Sequence, residues 1–150
     1  MLSELRVTAS GESGFTLVEV LVVMVIIGLL AAIAIPSFFS QHSKASDAGA
    51  KEAARTAQTA IETYSTDHGG SYSGATVADL RAVEPTVRPA TNVAGTGGSG
   101  GPGNHDFRVT VTSADGRTFS VDRNGGTMTY PCVVPSGVER GGCPAGDTWN

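Results

Sequence analysis

This 150-residue chain has few residues that carry chemistry. It holds two cysteines, one tryptophan and three histidines, and the histidines (His42, His68 and His105) lie far apart. No His-Glu-x-x-His, Gly-x-Ser-x-Gly or Cys-x-x-Cys pattern occurs, so neither a zinc hydrolase, a nucleophile elbow nor a dithiol site is foreseen. Catalysis is not expected, and no cofactor is. The glycine-rich run Gly95–Gly103 lacks the Gly-Lys-Ser/Thr ending of a phosphate-binding loop and reads as a flexible connection. Asp106, Asp115 and Asp122 follow no EF-hand spacing and read as turn-forming residues. A formal net charge of −4 supplies no electrostatic reason to bind nucleic acid.

Charge is missing altogether from Val20 to Phe39, inside the stretch Gly14–Pro36 that dominates the chain. About 20 apolar residues suffice to cross a bilayer as a helix. A soluble protein buries a helix that is apolar all round only within a large core, which this chain is too short to supply. The segment therefore belongs in lipid or against copies of itself. Glu19 interrupts it one turn in. A carboxylate in hydrocarbon costs roughly 2.5–3.5 kcal/mol on insertion scales, so Glu19 either has a partner and a function or lies at headgroup level. Ala32-Ile33-Ala34 has the small-x-small form of an ordinary secretory cleavage site. Glu19 within the apolar region and Pro36 just past that cut both argue against such a signal.

Gly14-Phe15-Thr16-Leu17-Val18-Glu19, followed by an apolar helix and Pro36, resembles the class III signal of type IV pilins and their pseudopilin relatives, over about residues 10–66. The resemblance implies that a prepilin peptidase cuts after Gly14 and N-methylates Phe15. It makes Glu19 the residue that sets register during assembly and Pro36 the site of a helix bend. The implied partners are further copies of the chain in a helical homopolymer, the peptidase, a membrane platform protein, a cytoplasmic assembly ATPase and, before assembly, the membrane itself. The implied division is a leader over 1–14, a transmembrane and filament-core helix over 15–36, and a periplasmic or extracellular head over 37–150. One departure is that the leader's positive-inside signal rests on Arg6, opposed by Glu4 and Glu12.

The rest of the chain predicts an α+β protein, for which the resemblance implies the type IV pilin fold. A helix over about 15–66 should bend or locally melt near Pro36, where the ring removes an N–H and clashes with the carbonyl of Ala32. Beyond the proline, Phe38, His42, Ala45, Gly49, Ala53, Ala57, Ala60/Ile61 and Tyr64 form a narrow stripe at spacings of three and four, with Lys44, Asp47, Lys51, Glu52, Arg55 and Glu62 opposite. Small residues in that stripe allow a sheet to approach closely. Gly69 is placed to end the helix in a left-handed cap. Thr76 through Asp79 reads as a helix start, giving a short helix over Val77–Val83 within an otherwise patternless connection from Ser71 to Asp106.

An antiparallel meander follows over about 106–131. Phe107, Val109 and Val111 alternate with polar residues, Thr118–Asp122 and Thr127–Tyr130 form two further strands, and Asn124-Gly125 marks a hairpin. Cys132 and Cys143, an even pair in an exported chain, suggest a disulfide closing a C-terminal loop. A zinc site is the rival, but ten intervening residues and no nearby histidine fit zinc spacing poorly. Trp149 reads as a packing anchor for the tail, with a carbohydrate or partner contact as the alternative.

The function expected is that of a structural prepilin, inserted once in the cytoplasmic membrane and then polymerised into a surface filament. One alternative is a pseudopilin of a type II secretion or DNA-uptake system, whose major members bind calcium near their C-terminal loops. Another, of a different class, is a membrane-anchored binding module that does not polymerise. The scarcity of aromatics gives no support to electron conduction.

Overall fold

The computed structural model describes residues 14–94 and 105–150. The leader up to residue 13 and the glycine-rich run lie outside the described residues. The described residues divide into two compact units on either side of residues 38 and 39, and helix α1 (Leu17–Asp67) contributes to both.

In the first unit, α1 starts at Leu17 because Thr16 caps it. The Thr16 hydroxyl accepts the backbone N–H of Glu19 at 3.2 Å, and the Thr16 carbonyl accepts that of Val20. Thr16-x-x-Glu19 is the residue pattern of a capping box, with an acid in the first turn where the helix dipole favours it. Leu17, Met24, Leu29, Leu30 and Ile33 are each more than 60% exposed. This helix is long and apolar enough to cross a membrane. Pro36 lies inside it and the helix continues past, so the local melting anticipated there does not occur. One missing N–H forfeits a single bond, and the turns on either side keep theirs.

The second unit packs the remainder of α1 against a sheet. Ala50, Ala54, Ala57 and Ile61 are fully buried, with Ala53, Ala60 and Tyr64 nearly so. The expected stripe is therefore correct from Ala53 onward, but His42 and Ala45 are exposed. Gly69 (φ 64°) and Gly70 (φ 85°) follow the helix in left-handed conformations, with the Gly70 N–H returning to the Ser65 carbonyl. Helix α2 (Val77–Val83) forms where expected, closed by a reciprocal Thr76–Asp79 capping box, and buries Leu80. Both hydrogen bonds from Thr76 hold the Asp79 carboxyl below its ordinary range.

The sheet contains β1 (Asn92–Ala94), β2 (Phe107–Thr112), β3 (Thr118–Asn124), β4 (Thr127–Thr129) and β5 (Cys132–Val133), all paired antiparallel. Alternation in β2 buries Phe107, Val109 and Val111 on the face shared with Phe119 and Val121 of β3. Each such side chain contributes roughly 1.5–3 kcal/mol by leaving water. Two features depart from the sequence expectation. Strand β1, on β2's outer side, was hidden in the supposedly patternless connection. The second hairpin turns on Gly125 (φ 57°) and Gly126 (φ 83°), so Asn124 ends β3 and the two glycines take the positive-φ positions that a type I′ turn demands.

Strands β4 and β5 are one line broken by proline. Asp122 faces Thr129 and Phe119 faces Cys132 in the same register along β3. Between them the Ser120 N–H donates to the Pro131 carbonyl at 2.9 Å, but Pro131 has no N–H to return. Trp149 supplies the missing donor: its indole Nε1–H reaches the Ser120 carbonyl at 2.9 Å. The tail then pairs alongside, with Trp149 N–H on the Tyr130 carbonyl, Cys132 N–H on the Asp147 carbonyl and a bridge between Pro131 and Thr148. Trp149 is 8% exposed and meets Phe119 and Tyr130 edge-on. It is the packing anchor foreseen, and it also completes the ladder.

Candidate functional site

The N-terminal residues meet in one short piece of chain. Gly14, Phe15 and Thr16 precede the helix, and Phe15 is 83% exposed. A Cβ added at Gly14 would meet nothing within 4 Å. Packing among the described residues therefore does not require glycine at this position. Glu19 is exposed in the first helical turn, flanked by exposed apolar side chains, and its backbone is fixed by Thr16. Its carboxylate thus leaves the helix near the end where partial positive charge collects. Gly28, midway along the apolar segment, also has open space beside it. Glycine there costs about 1 kcal/mol of helix propensity relative to alanine with no compensating contact among the described residues.

The head has its own fastening, centred on the C-terminal loop. Cys132 and Cys143 form a disulfide with Cα atoms 5.9 Å apart. A second tie lies beneath the loop and was not foreseen. Asp47, assigned to the polar side of the helix by its spacing, is fully buried, and Arg117, just before β3, is 1% exposed. Arg117 Nε donates to Asp47 Oδ2 at 2.7 Å, and its Nη atoms donate to Asp115 Oδ2 and to the carbonyl of Glu139 in the loop. Burial acts to lower the Arg117 pKa, yet the hydrogen bonds to Asp47 and Asp115 outweigh it and leave the guanidinium more firmly protonated than usual. Asp115 in turn is held below its ordinary range by hydrogen bonds from Ser43 and then Arg117.

Asp47 Oδ2 also accepts the Gly142 N–H at 2.7 Å, and Lys51 Nζ donates to the Gly142 carbonyl at 2.6 Å. A Cβ at Gly141 would lie 2.5 Å from Asp47 Oδ2 and 2.7 Å from Arg117 Cζ, and one at Gly142 2.9 Å from Asp47 Cβ. Both glycines are needed for the loop to come this close. Helical periodicity cannot reveal such a pair, because a buried aspartate and an exposed one have the same spacing. Gly-Gly two residues after an acidic residue and before a cysteine was the available hint of close approach.

The other residues singled out are dispersed. Asp122 pairs with Arg108 through two hydrogen bonds, Asp115 with Arg117, and Asp106 Oδ1 accepts the Gly125 N–H. Among the described residues no group of three His, Cys, Asp or Glu is placed to hold a metal ion. His68 stacks on Tyr64 and its Nδ1 meets the Tyr64 carbonyl, while His105 Nδ1 meets the Gly70 carbonyl. Each carbonyl can only accept, so Nδ1 bears the proton in both rings.

Comparison with known proteins agrees with the N-terminal geometry. Residues 9–35 match the family described as the prokaryotic N-terminal methylation motif. Over 57 residues the chain is 37% identical to the competence protein ComGC of Halalkalibacterium halodurans, covering 38% of this chain and 56% of that protein. It is 39% identical, also over 57 residues, to the type II secretion system core protein G of Pseudomonas aeruginosa, covering 38% of this chain and 40% of that protein. The match thus spans about half the length of the relatives and leaves more than half of this chain unmatched. No solved structure matches the chain. The resemblance to the type IV pilin-like superfamily holds at the N-terminal helix, with its methylation motif.

Proposed function

We propose that this chain is a prepilin, the structural subunit of a type IV pilus-like surface filament. A prepilin peptidase removes residues 1–14 and methylates the new amine of Phe15. Residues 15–36 first span the cytoplasmic membrane, with residues 37–150 as the exported head. A platform protein and an assembly ATPase then draw the subunits into a filament. In this process the apolar helix changes solvent, from lipid to a bundle of neighbouring helices, and Glu19 finds a partner in the amine of a neighbour's Phe15. The observation that carries the reading is the methylation motif opening directly into a helix whose apolar residues are exposed. Open space at Gly28 supports it, since small residues let helices approach closely in a membrane or a bundle.

The names of the two relatives favour a second reading, that of a pseudopilus subunit in DNA uptake or type II secretion. Shearing cells and weighing the released filaments by mass spectrometry tests the first. Filaments built from this subunit support it. A chain that stays wholly in the membrane fraction, in cells that nonetheless need it for secretion or DNA uptake, supports the second. A chain held in the membrane and needed for neither would be the non-polymerising anchor module.

A further inference from the structure

Two restraints act on the loop between Cys132 and Cys143, and they act at different places. The disulfide joins its ends. The polar contacts hold its far limb: Glu139 by its carbonyl on Arg117, and Gly142 by its N–H on Asp47 and its carbonyl on Lys51. Asp47 and Lys51 belong to α1 and Arg117 to the hairpin leading into β3, so none of the three depends on the disulfide for its own position. Arg117 is anchored further by Asp115 and by the Ser43 carbonyl, and the Ala114 N–H sits on the Ser46 hydroxyl. The near end of the loop is held equally without sulfur, because Cys132 lies in β5, paired to Phe119.

We propose that Asp47, Lys51 and Arg117 form a latch that docks the loop on α1 before the disulfide exists and so brings Cys143 to Cys132. The three are positioning residues, and the latch belongs to the head alone, whatever filament or anchor the chain serves. Closure of the bridge is then the oxidation of two thiols already in place, by exchange with an external disulfide. With glutathione disulfide as oxidant, one cysteine thiolate attacks it and expels a glutathione thiolate. The other cysteine thiolate then attacks the mixed disulfide and expels the second. The protein loses two electrons and two protons, and two molecules of reduced glutathione carry them away.

The test uses the full chain in detergent micelles. In the Cys132→Ser/Cys143→Ser variant, amide hydrogen exchange should leave the Gly142 N–H protected about tenfold to a hundredfold over an open chain, the range expected for a bond to a charged acceptor. Val121 in β3 serves as the reference for the folded head. An unprotected Gly142 beside a protected Val121, or a variant that does not fold, overturns the latch, since the bridge would then be what holds the loop. In Asp47→Asn with both cysteines present, Gly142 protection should fall about tenfold or more with the bridge closed. Closure from the reduced chain by glutathione disulfide should slow by a similar factor at the second, intramolecular step. Unchanged protection and closure overturn the proposal. If Asp47→Asn does not fold, Lys51→Met is read in the same two ways.

Discussion

Replacing Trp149 by phenylalanine isolates the bond that repairs the sheet. The aromatic ring remains, so the edge-on contacts with Phe119 (centroids 6.2 Å apart) and Tyr130 (5.3 Å) are largely kept. What is lost is the Nε1–H that satisfies the Ser120 carbonyl in a residue only 9% exposed. A buried carbonyl left unpaired costs about 1–3 kcal/mol. The weaker stacking of Arg55, 5.2 Å from the indole, adds up to about 0.5–1 kcal/mol at an exposed site. The expected total is about 1.5–4 kcal/mol. For a head near 110 residues that is a fall in Tm of roughly 6–17 °C, read by circular dichroism in micelles. The decisive arm is Pro131→Ala, which returns an N–H to the ladder. In the Trp149→Phe background it should recover about 1 kcal/mol, because the new donor meets the vacant carbonyl. In the native background the indole already occupies that carbonyl, so the same change should be neutral or destabilising. Equal effects in the two backgrounds would refute the idea that tryptophan substitutes for the missing backbone donor.

Gly14→Val should block cleavage while leaving membrane insertion unchanged, visible as accumulated precursor on a gel; normal processing would show that bulk at the bond is tolerated. Glu19→Ala should ease insertion, since a charge costing roughly 2.5–3.5 kcal/mol leaves the apolar run, yet reduce filament number. The lost attraction is roughly 4 kcal/mol for charges 4 Å apart at an effective dielectric of 20, before desolvation. Filaments of normal number and length by electron microscopy would remove Glu19 from assembly, and Glu19→Gln separates charge from hydrogen bonding. Cys132→Ser should destabilise the head by about 2–3 kcal/mol, the chain-entropy value for a loop of this size, measured by denaturant unfolding. The Tyr72 phenol is held above its ordinary range, first by burial and then by its hydrogen bond to Glu62. Its neutral form is thus favoured by folding, and that stability, complete below about pH 10, should fade as pH rises through the folded value. A native phenol titrating with the unfolded chain in ultraviolet absorbance would contradict this.

Much of the architecture was legible because it rests on local pattern. The apolar run, the alanine stripe from Ala53 onward, the Thr76–Asp79 capping box and the alternation of Phe107, Val109 and Val111 each carry a period or a fixed spacing. Three features were not legible, each for a physical reason. Strand β1 is three residues long, too short to show alternation. The Asp47–Arg117 pair joins positions 70 residues apart, and only the fold brings a buried acid to its base. The exchange of Trp149 for the donor absent from Pro131 depends on register, which no single segment encodes. At the N-terminus the reverse holds. The motif was readable from Gly14 to Glu19, and the fold adds that Thr16 caps the helix and that a side chain at Gly14 would meet none of the described residues.

The most direct test of the central claim is the mass of the N-terminal peptide from the mature chain, purified from the surface or membrane fraction. The account requires a peptide beginning at Phe15, heavier by one methyl group on its amine, in wild-type cells and its absence when Gly14 is replaced by valine. A mature chain beginning at Ile35, after Ala32-Ile33-Ala34, would contradict it, as would an intact Met1–Asn150 chain in cells that process other methylated subunits.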